Sequence, residues 1–284
     1  MKDNQSDSNF NKVATAIAFS SRAEAILCES KAIASRLSAS LLLIHIGVDV
    51  RETRQKLSDL CNKVGLTDGS YELVFHPGVP VDSIVTACNE NNVDLLIVGA
   101  LQEETFWQFY FGSIARKLSR NVNCSILLLT NPSTKAKPFE HVVVNGVSND
   151  KTMRTINITI DFAKRNGTKL LEIVREVKRG KMTKVEDDET LKELNKNRDK
   201  LLALEQRKLE SIQEHLIDFE EIEVKCQCVI GKVGYTIGHY TQAKRANLLV
   251  VNSPDRKMSF LDRIFPHDIE WLLADMPSNM LIVK

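Results

Sequence analysis

The first side chains to test for chemistry are six cysteines and six histidines. Cys28, Cys61, Cys88, Cys124, Cys226 and Cys228 are scattered, and none forms a C-x-x-C pair. Cys226 and Cys228 stand two apart, which on a strand puts both on one face. That spacing makes a redox or metal pair conceivable, but the expected reading is small apolar residues in a reduced cytosolic protein. The histidines at 45, 76, 141, 215, 239 and 267 show no zinc-ligand spacing. No G-x-S-x-G elbow and no G-x4-G-K-[ST] loop occurs. No catalytic residue and no metal ligand is therefore expected, and the chain does not read as an enzyme. One further run is unusual: Phe106, Trp107, Gln108, Phe109, Tyr110 and Phe111. Its aromatic side chains suit core or interface packing, a plug for a vacant site, or the cover of an apolar ligand.

The elements that must position these residues come from composition and repetition. With 38 basic and 37 acidic residues the formal net charge is +1, so no global field argues for nucleic acid or a membrane surface as partner. The longest apolar runs, such as Leu41 to Ile44, have strand length and fall short of the roughly 20 residues of a membrane helix. Residues 1–10 are polar at the start, carry no apolar signal region and are expected to be flexible. A cytoplasmic protein is expected.

The sequence repeats itself. Gly78-Val79-Pro80-Val81-Asp82-Ser83-Ile84 aligns with Gly231-Lys232-Val233-Gly234-Tyr235-Thr236-Ile237. The same offset brings Val93 to Gly99 onto Ala246 to Asn252, and Gly112-Ser113 onto Phe265-Pro266. The closing strands, Ser125 to Leu129 and Met280 to Val283, match after a two-residue slip. A near-constant offset through several elements marks a duplication.

In the first copy, strands are expected at Val13 to Phe19, Leu41 to Ile46, Tyr71 to His76, Asp94 to Val98 and Ser125 to Leu129. Helices are expected at Arg22 to Leu37, Val50 to Val64, Val81 to Asn91 and Ser113 to Asn121. Continuous apolar strands alternating with helices predict a parallel sheet covered on both faces, with right-handed crossovers. The fold class is thus α/β: two tandem doubly wound, Rossmann-like domains, at 11–132 and 138–284, joined by the turn-rich Asn131 to Pro138. The second domain holds an insertion. After Asp187 and Asp188, Leu191, Leu194, Leu201, Leu209, Ile212, Leu216 and Phe219 recur at helical spacing. A helix over about 188–219 would be roughly 45 Å long, offering a partner or dimer surface or a solvated helix with one buried stripe.

Beyond the fourth strand, Gly99-Ala100-Leu101-Gln102, nine residues, then Gly112-Ser113, resembles the G-x2-G-x9-G-[ST] loop of the universal stress proteins. The preceding Asp94 to Gly99, the closing Asn123 to Leu129, the G-x-P at Gly78 to Pro80 and the Ile44-His45-Ile46 strand end resemble the family too. Both copies are similar to it, as in tandem universal stress proteins.

The resemblance implies a phosphate-wrapping loop. Its glycines let backbone N–H groups reach phosphate oxygens, and its G-[ST] opens a helix whose N-terminus favours anions. Carried over by position, Gly99, Gln102, Gly112 and Ser113 form the candidate residual loop of the first domain. Gly99 and Gly112-Ser113 are kept, whereas Gln102 replaces a glycine. The strand-one Asp of the family, which holds the sugar end of the nucleotide, falls on Ala18. In the second copy the loop glycines fall on Asn252 and Asp255, G-[ST] on Phe265-Pro266, and the strand-one Asp near Gly146. Asp255 adds negative charge, and Pro266 cannot donate an N–H.

The expected function is that of a non-catalytic stress-response protein with degenerate nucleotide sites, acting through contacts with as yet undefined proteins and holding no cofactor. One alternative is an ATP-binding stress switch using domain 1 only. Another is a regulatory module acting in trans on a transporter, suggested by Ser259 to Phe265. The family's pairing through the closing strand implies an internal pseudo-dimer, Leu127 to Leu129 against Leu281 to Val283, with homodimerisation as a further form.

Overall fold

The computed structural model describes residues 9–99, 117–147, 150–178, 188–214, 221–232, 234–253, 276 and 278–284. The first unit runs β1 (Lys12–Ile17), α1 (Ala23–Leu37), β2 (Ser40–Ile46), α2 (Arg51–Lys63), β3 (Glu72–His76), α3 (Pro80–Glu90), β4 (Leu95–Gly99), α4 (117–121) and β5 (Ser125–Leu129). The second runs β6 (His141–Asn145), α5 (Thr152–Asn166), β7 (Leu170–Lys178), α6 (Asp188–Glu214), β8 (Glu223–Gly231), α7 (Tyr235–Ala243), β9 (Leu248–Asn252) and β10 (Asn279–Val283). The apolar runs of the sequence became strands because both faces of the sheet are covered: β4 and β5 are buried at every residue.

All ten strands form one sheet in the order β3-β2-β1-β4-β5-β10-β9-β6-β7-β8. Every pairing is parallel except β5 with β10, where the units meet antiparallel. Helices α1, α2, α5 and α6 contribute Leu27, Leu57, Phe162 and Leu209 to the core on one face. On the other, α3, α4 and α7 contribute Ile84, Leu118 and Ile237.

Strand register fixes how the copies correspond. Val13 pairs with Leu95 as Val142 pairs with Leu248, so β1 matches β6 and β4 matches β9. Leu95 pairs with Ser125 as Leu248 pairs with Asn279, which makes Ser125 the counterpart of Asn279 and Leu127 that of Leu281. The closing strands therefore slip by one residue, not the two expected. The ladder shows why: Leu127 faces Leu281, its own counterpart, as a two-fold axis through that pair requires. The same symmetry repeats at the ends of the ladder. The Lys284 N–H donates to Ser125 Oγ at 3.1 Å, and the Thr130 N–H to Asn279 Oδ1 at 3.0 Å.

Two boundaries shift. The expected flexible stretch 1–10 does not extend to its end, because Phe10 is buried edge-on against Phe162, 6.2 Å between ring centroids. The Asn9 N–H donates to Asp161 Oδ2 at 3.2 Å. Strand β1 stops at Ile17 instead of Phe19, since the chain already turns into α1 with the Ala23 N–H on Ser20 O. Between the units, α1 packs on α5. Arg36 donates to Ala136 O at 3.1 Å and to Asn166 Oδ1 at 3.3 Å.

Helix α6 has 27 described residues, about 40 Å of axis; residues 215–219 of the expected helix lie outside the described residues. Its C-terminal half docks on β7 and β8, with Leu209 fully buried. Leu201 and Leu204 remain exposed.

Candidate functional site

In a doubly wound sheet the ligand crevice lies beyond the carboxyl ends of the strands, where strand order reverses. That point falls between β1 and β4 in the first unit and between β6 and β9 in the second. Because the units are antiparallel, the two crevices open on opposite edges of the sheet and cannot share a ligand.

Of the four candidate loop residues, only Gly99 is described. Gln102, Gly112 and Ser113 lie outside the described residues, as do the aromatic run 106–111, Asp255, Phe265-Pro266 and the 259–265 segment. Gly99 ends β4 and is buried. A methyl group on it would sit 2.5 Å from Ile26 Cδ1 of α1, closer than packed carbons approach. Glycine at this position thus admits the close packing of a helix on the sheet, whatever else it does. Ala18 is exposed just past β1 and offers no carboxylate to a ligand.

Rings crowd the first crevice. The His45 Nδ1–H of β2 donates to Ile17 O at 3.1 Å. Phe19 and Phe75 flank that imidazole at 5.2 and 5.6 Å between centroids. The Arg54 guanidinium lies 5.1 Å over Phe75 and pairs with Asp49 at 2.5 Å. Around the mouth, Phe19, Val48, Val50 and Val79 follow the ends of β1, β2 and β3 and stand 48–67% exposed. A neighbouring groove of about 530 Å3 carries Glu24 and Asp59 against Lys56, so its lining gives an anion no net attraction.

At the end of β6 the second unit carries a buried ion pair instead of rings. Arg175 stands where His45 stands in the first unit, since His45 pairs with Ile17 as Arg175 sits beyond Val174, the partner of Asn145. It makes the corresponding bond, Nε–H donating to Gly146 O at 2.8 Å. Its other arm reaches Glu205 of α6 at 2.9 Å, and both side chains are mostly buried. Lys208, and after it Arg175, hold the Glu205 carboxyl below the usual carboxylate range against the opposing effect of burial. A methyl on Gly146 would come within 3.0 Å of Ile173 Cγ2 and 3.4 Å of Leu209 Cδ2. Helix α6 therefore lies directly on the end of β6. Register makes Val147 the counterpart of Ala18, next to the Gly146 near which the carboxylate position was expected, and it too lacks a carboxylate.

Acids have appeared elsewhere in this unit. Glu176 accepts the Gly234 and Ile237 N–H groups, each at 2.8 Å, so the N-terminus of α7 already holds its anion. Buried Glu172 bonds His141 Nε2 at 2.7 Å and the Tyr240 hydroxyl at 2.9 Å. Burial, then Glu172, pushes the Tyr240 hydroxyl up.

Asn252, the counterpart of Gly99, donates to Thr152 Oγ at 3.3 Å. Arg175, Glu176 and Glu205 escaped the sequence reading. The signal was an apolar strand broken by adjacent charges at its end, where the first copy has His45-Ile46.

The cysteine pair at 226 and 228 is half-buried on β8 beneath α6. Burial pushes the Cys226 thiol up to about 11 and raises Cys228 as well, which disfavours the thiolate needed for redox or metal chemistry. Among the described residues no group of three His, Cys, Asp or Glu could hold a metal ion, and no helix is long and apolar enough to cross a membrane.

Comparison with known proteins agrees with this architecture. Residues 9–130 match the universal stress protein family. A universal stress protein from Archaeoglobus fulgidus DSM 4304 superposes with a TM-score of 0.65 at 14% identity, covering 98% of this chain and 97% of its own. A functionally unknown protein from Pseudomonas aeruginosa PAO1 does so with a TM-score of 0.64 at 14% identity, covering 97% and 92%. At such identity the likeness is one of fold. No curated protein matches the sequence. The first unit, residues 9–130, is thus a match to the universal stress protein family, and the second unit repeats the same fold in tandem.

Proposed function

We propose that this protein acts in the stress response without catalysis, in the cytoplasm, through contacts with other proteins, and that neither crevice is a working nucleotide site. One observation carries the reading. Arg175, Glu205 and Leu209 occupy the end of β6, so in the second unit the chain's own helix lies where a ligand would approach. In the first unit Ala18 supplies no carboxylate to the sugar end of a nucleotide. A hydrogen bond to a charged group is worth roughly 1.5–3 kcal/mol, so that loss alone weakens binding by about ten- to a hundredfold. The apolar rim of Phe19, Val48, Val50 and Val79 suits a protein surface better than a phosphate chain.

A second reading keeps nucleotide binding in the first unit, favoured by the retained Gly99, Gly112 and Ser113. Melting the protein with and without Mg-ATP separates the two. The degenerate reading expects an unchanged Tm at millimolar ATP. A rise of several degrees would establish a site and sink it.

A further inference from the structure

Strand β8 closes one end of the ten-stranded sheet and, among the described residues, has only β7 as a neighbouring strand. At nine residues it is a long edge, and its outward N–H and C=O groups are a template on which another chain can add a strand. Three of those groups are engaged by side chains of α6. Gln206 Nε2 donates to Cys226 O at 3.1 Å, while the Cys228 N–H donates to Gln206 Oε1 at 3.1 Å. Further along, Gln213 Nε2 donates to Val224 O at 2.9 Å. In a parallel ladder a residue donates to the carbonyl before, and accepts from the N–H after, the residue it faces. The Gln206 amide does both across Gln227. Its own orientation is set by Glu210, whose Oε1 accepts from Nε2 at 3.3 Å.

We propose that α6 is the built-in partner of β8: Gln206 and Gln213 occupy the hydrogen-bonding positions of an eleventh strand and close this edge to strand addition by a second copy of the chain. The insertion that lengthens the crossover from β7 to β8 then has a purpose that the sheet itself supplies. The exposed Leu201 and Leu204 mark the part of the helix that the edge does not use.

Amide exchange at Cys228 tests this, with the Gly146 N–H, bonded to Val174 O at 2.8 Å, as an internal reference for the intact sheet. In the unmodified protein the Cys228 amide should be protected although it faces outward. In a Gln206→Leu, Gln213→Leu variant, which keeps side-chain bulk and removes both amides, it should exchange roughly tenfold faster or more while Gly146 is unchanged. The variant should also gain a larger species by light scattering that grows with protein concentration. Free exchange at Cys228 in the unmodified protein overturns the proposal without any variant. Unaltered exchange, or an unaltered mass, in a folded variant overturns it too.

Discussion

The two crevices are copies of one arrangement, and on the proposed reading each falls short as a nucleotide site in its own way. Among the described residues of the first crevice, Ala18 stands at the carboxylate position and an apolar rim surrounds His45. In the second, Arg175 stands at the position of His45 and ties the end of β6 to Glu205 on a lengthened helix. Both residues make the same bond, to Ile17 O and to Gly146 O. The scaffold therefore needed a donor at that point whether or not a ligand was bound. What differs is where the rest of the side chain goes, to flanking rings in one unit and to a helix in the other. Among the described residues, the first unit thus keeps an exposed apolar rim and the second a buried ion pair.

Stability measurements can break this contrast. Leu209→Ala should cost the most, about 3 kcal/mol in urea unfolding, because it empties a fully buried contact on Gly146 and Ile173. Glu205→Ala should cost about 2–3 kcal/mol by leaving Arg175 half-paired in the interior. The matching change in the first unit, His45→Ala, should cost only about 1–2 kcal/mol, since one hydrogen bond and two ring contacts are lost and no buried charge is left half-paired. Equal costs for Glu205→Ala and His45→Ala would erase the distinction between the two crevices. Gly99→Ala should cost about 1 kcal/mol as the Ile26 methyl is pushed aside. Phe19→Ser, at a side chain 51% exposed, should leave stability within about 0.5 kcal/mol.

The pH profile sharpens the same point. Lys208 and Arg175 hold the Glu205 carboxyl low, so its contribution is full above the usual carboxylate range and is lost as the pH falls through the depressed value. Glu205→Gln should flatten that acid limb. Glu29 runs the other way. Burial pushes its carboxyl up despite the Ser133 N–H and Arg36, so the folded state gains at low pH, and that gain fades as the pH rises through the raised value.

Much of this architecture was legible in the residues. Strands that are buried on both faces have to be apolar throughout, so Leu41 to Ile46 and Leu95 to Val98 announced themselves, and duplication made each copy a check on the other. The site was legible only in part. Gly99 could be picked out as a motif remnant, but its quarrel with a side chain comes from Ile26, far away in sequence and brought near by α1. Arg175 and Glu205 lie on different elements, and only the angle of α6 across β7 makes them partners. A one-residue slip in the closing strands is similarly invisible among leucines, isoleucines and valines, where any register looks apolar. It took Leu127 facing Leu281 to fix it.

The most direct test of the central claim needs no variant. The protein should be purified without added nucleotide and denatured, and the supernatant examined by mass spectrometry. On the proposed reading, in which neither crevice is a working nucleotide site, the supernatant should contain no nucleotide above trace. A nucleotide recovered in stoichiometric amount with the chain would contradict the account.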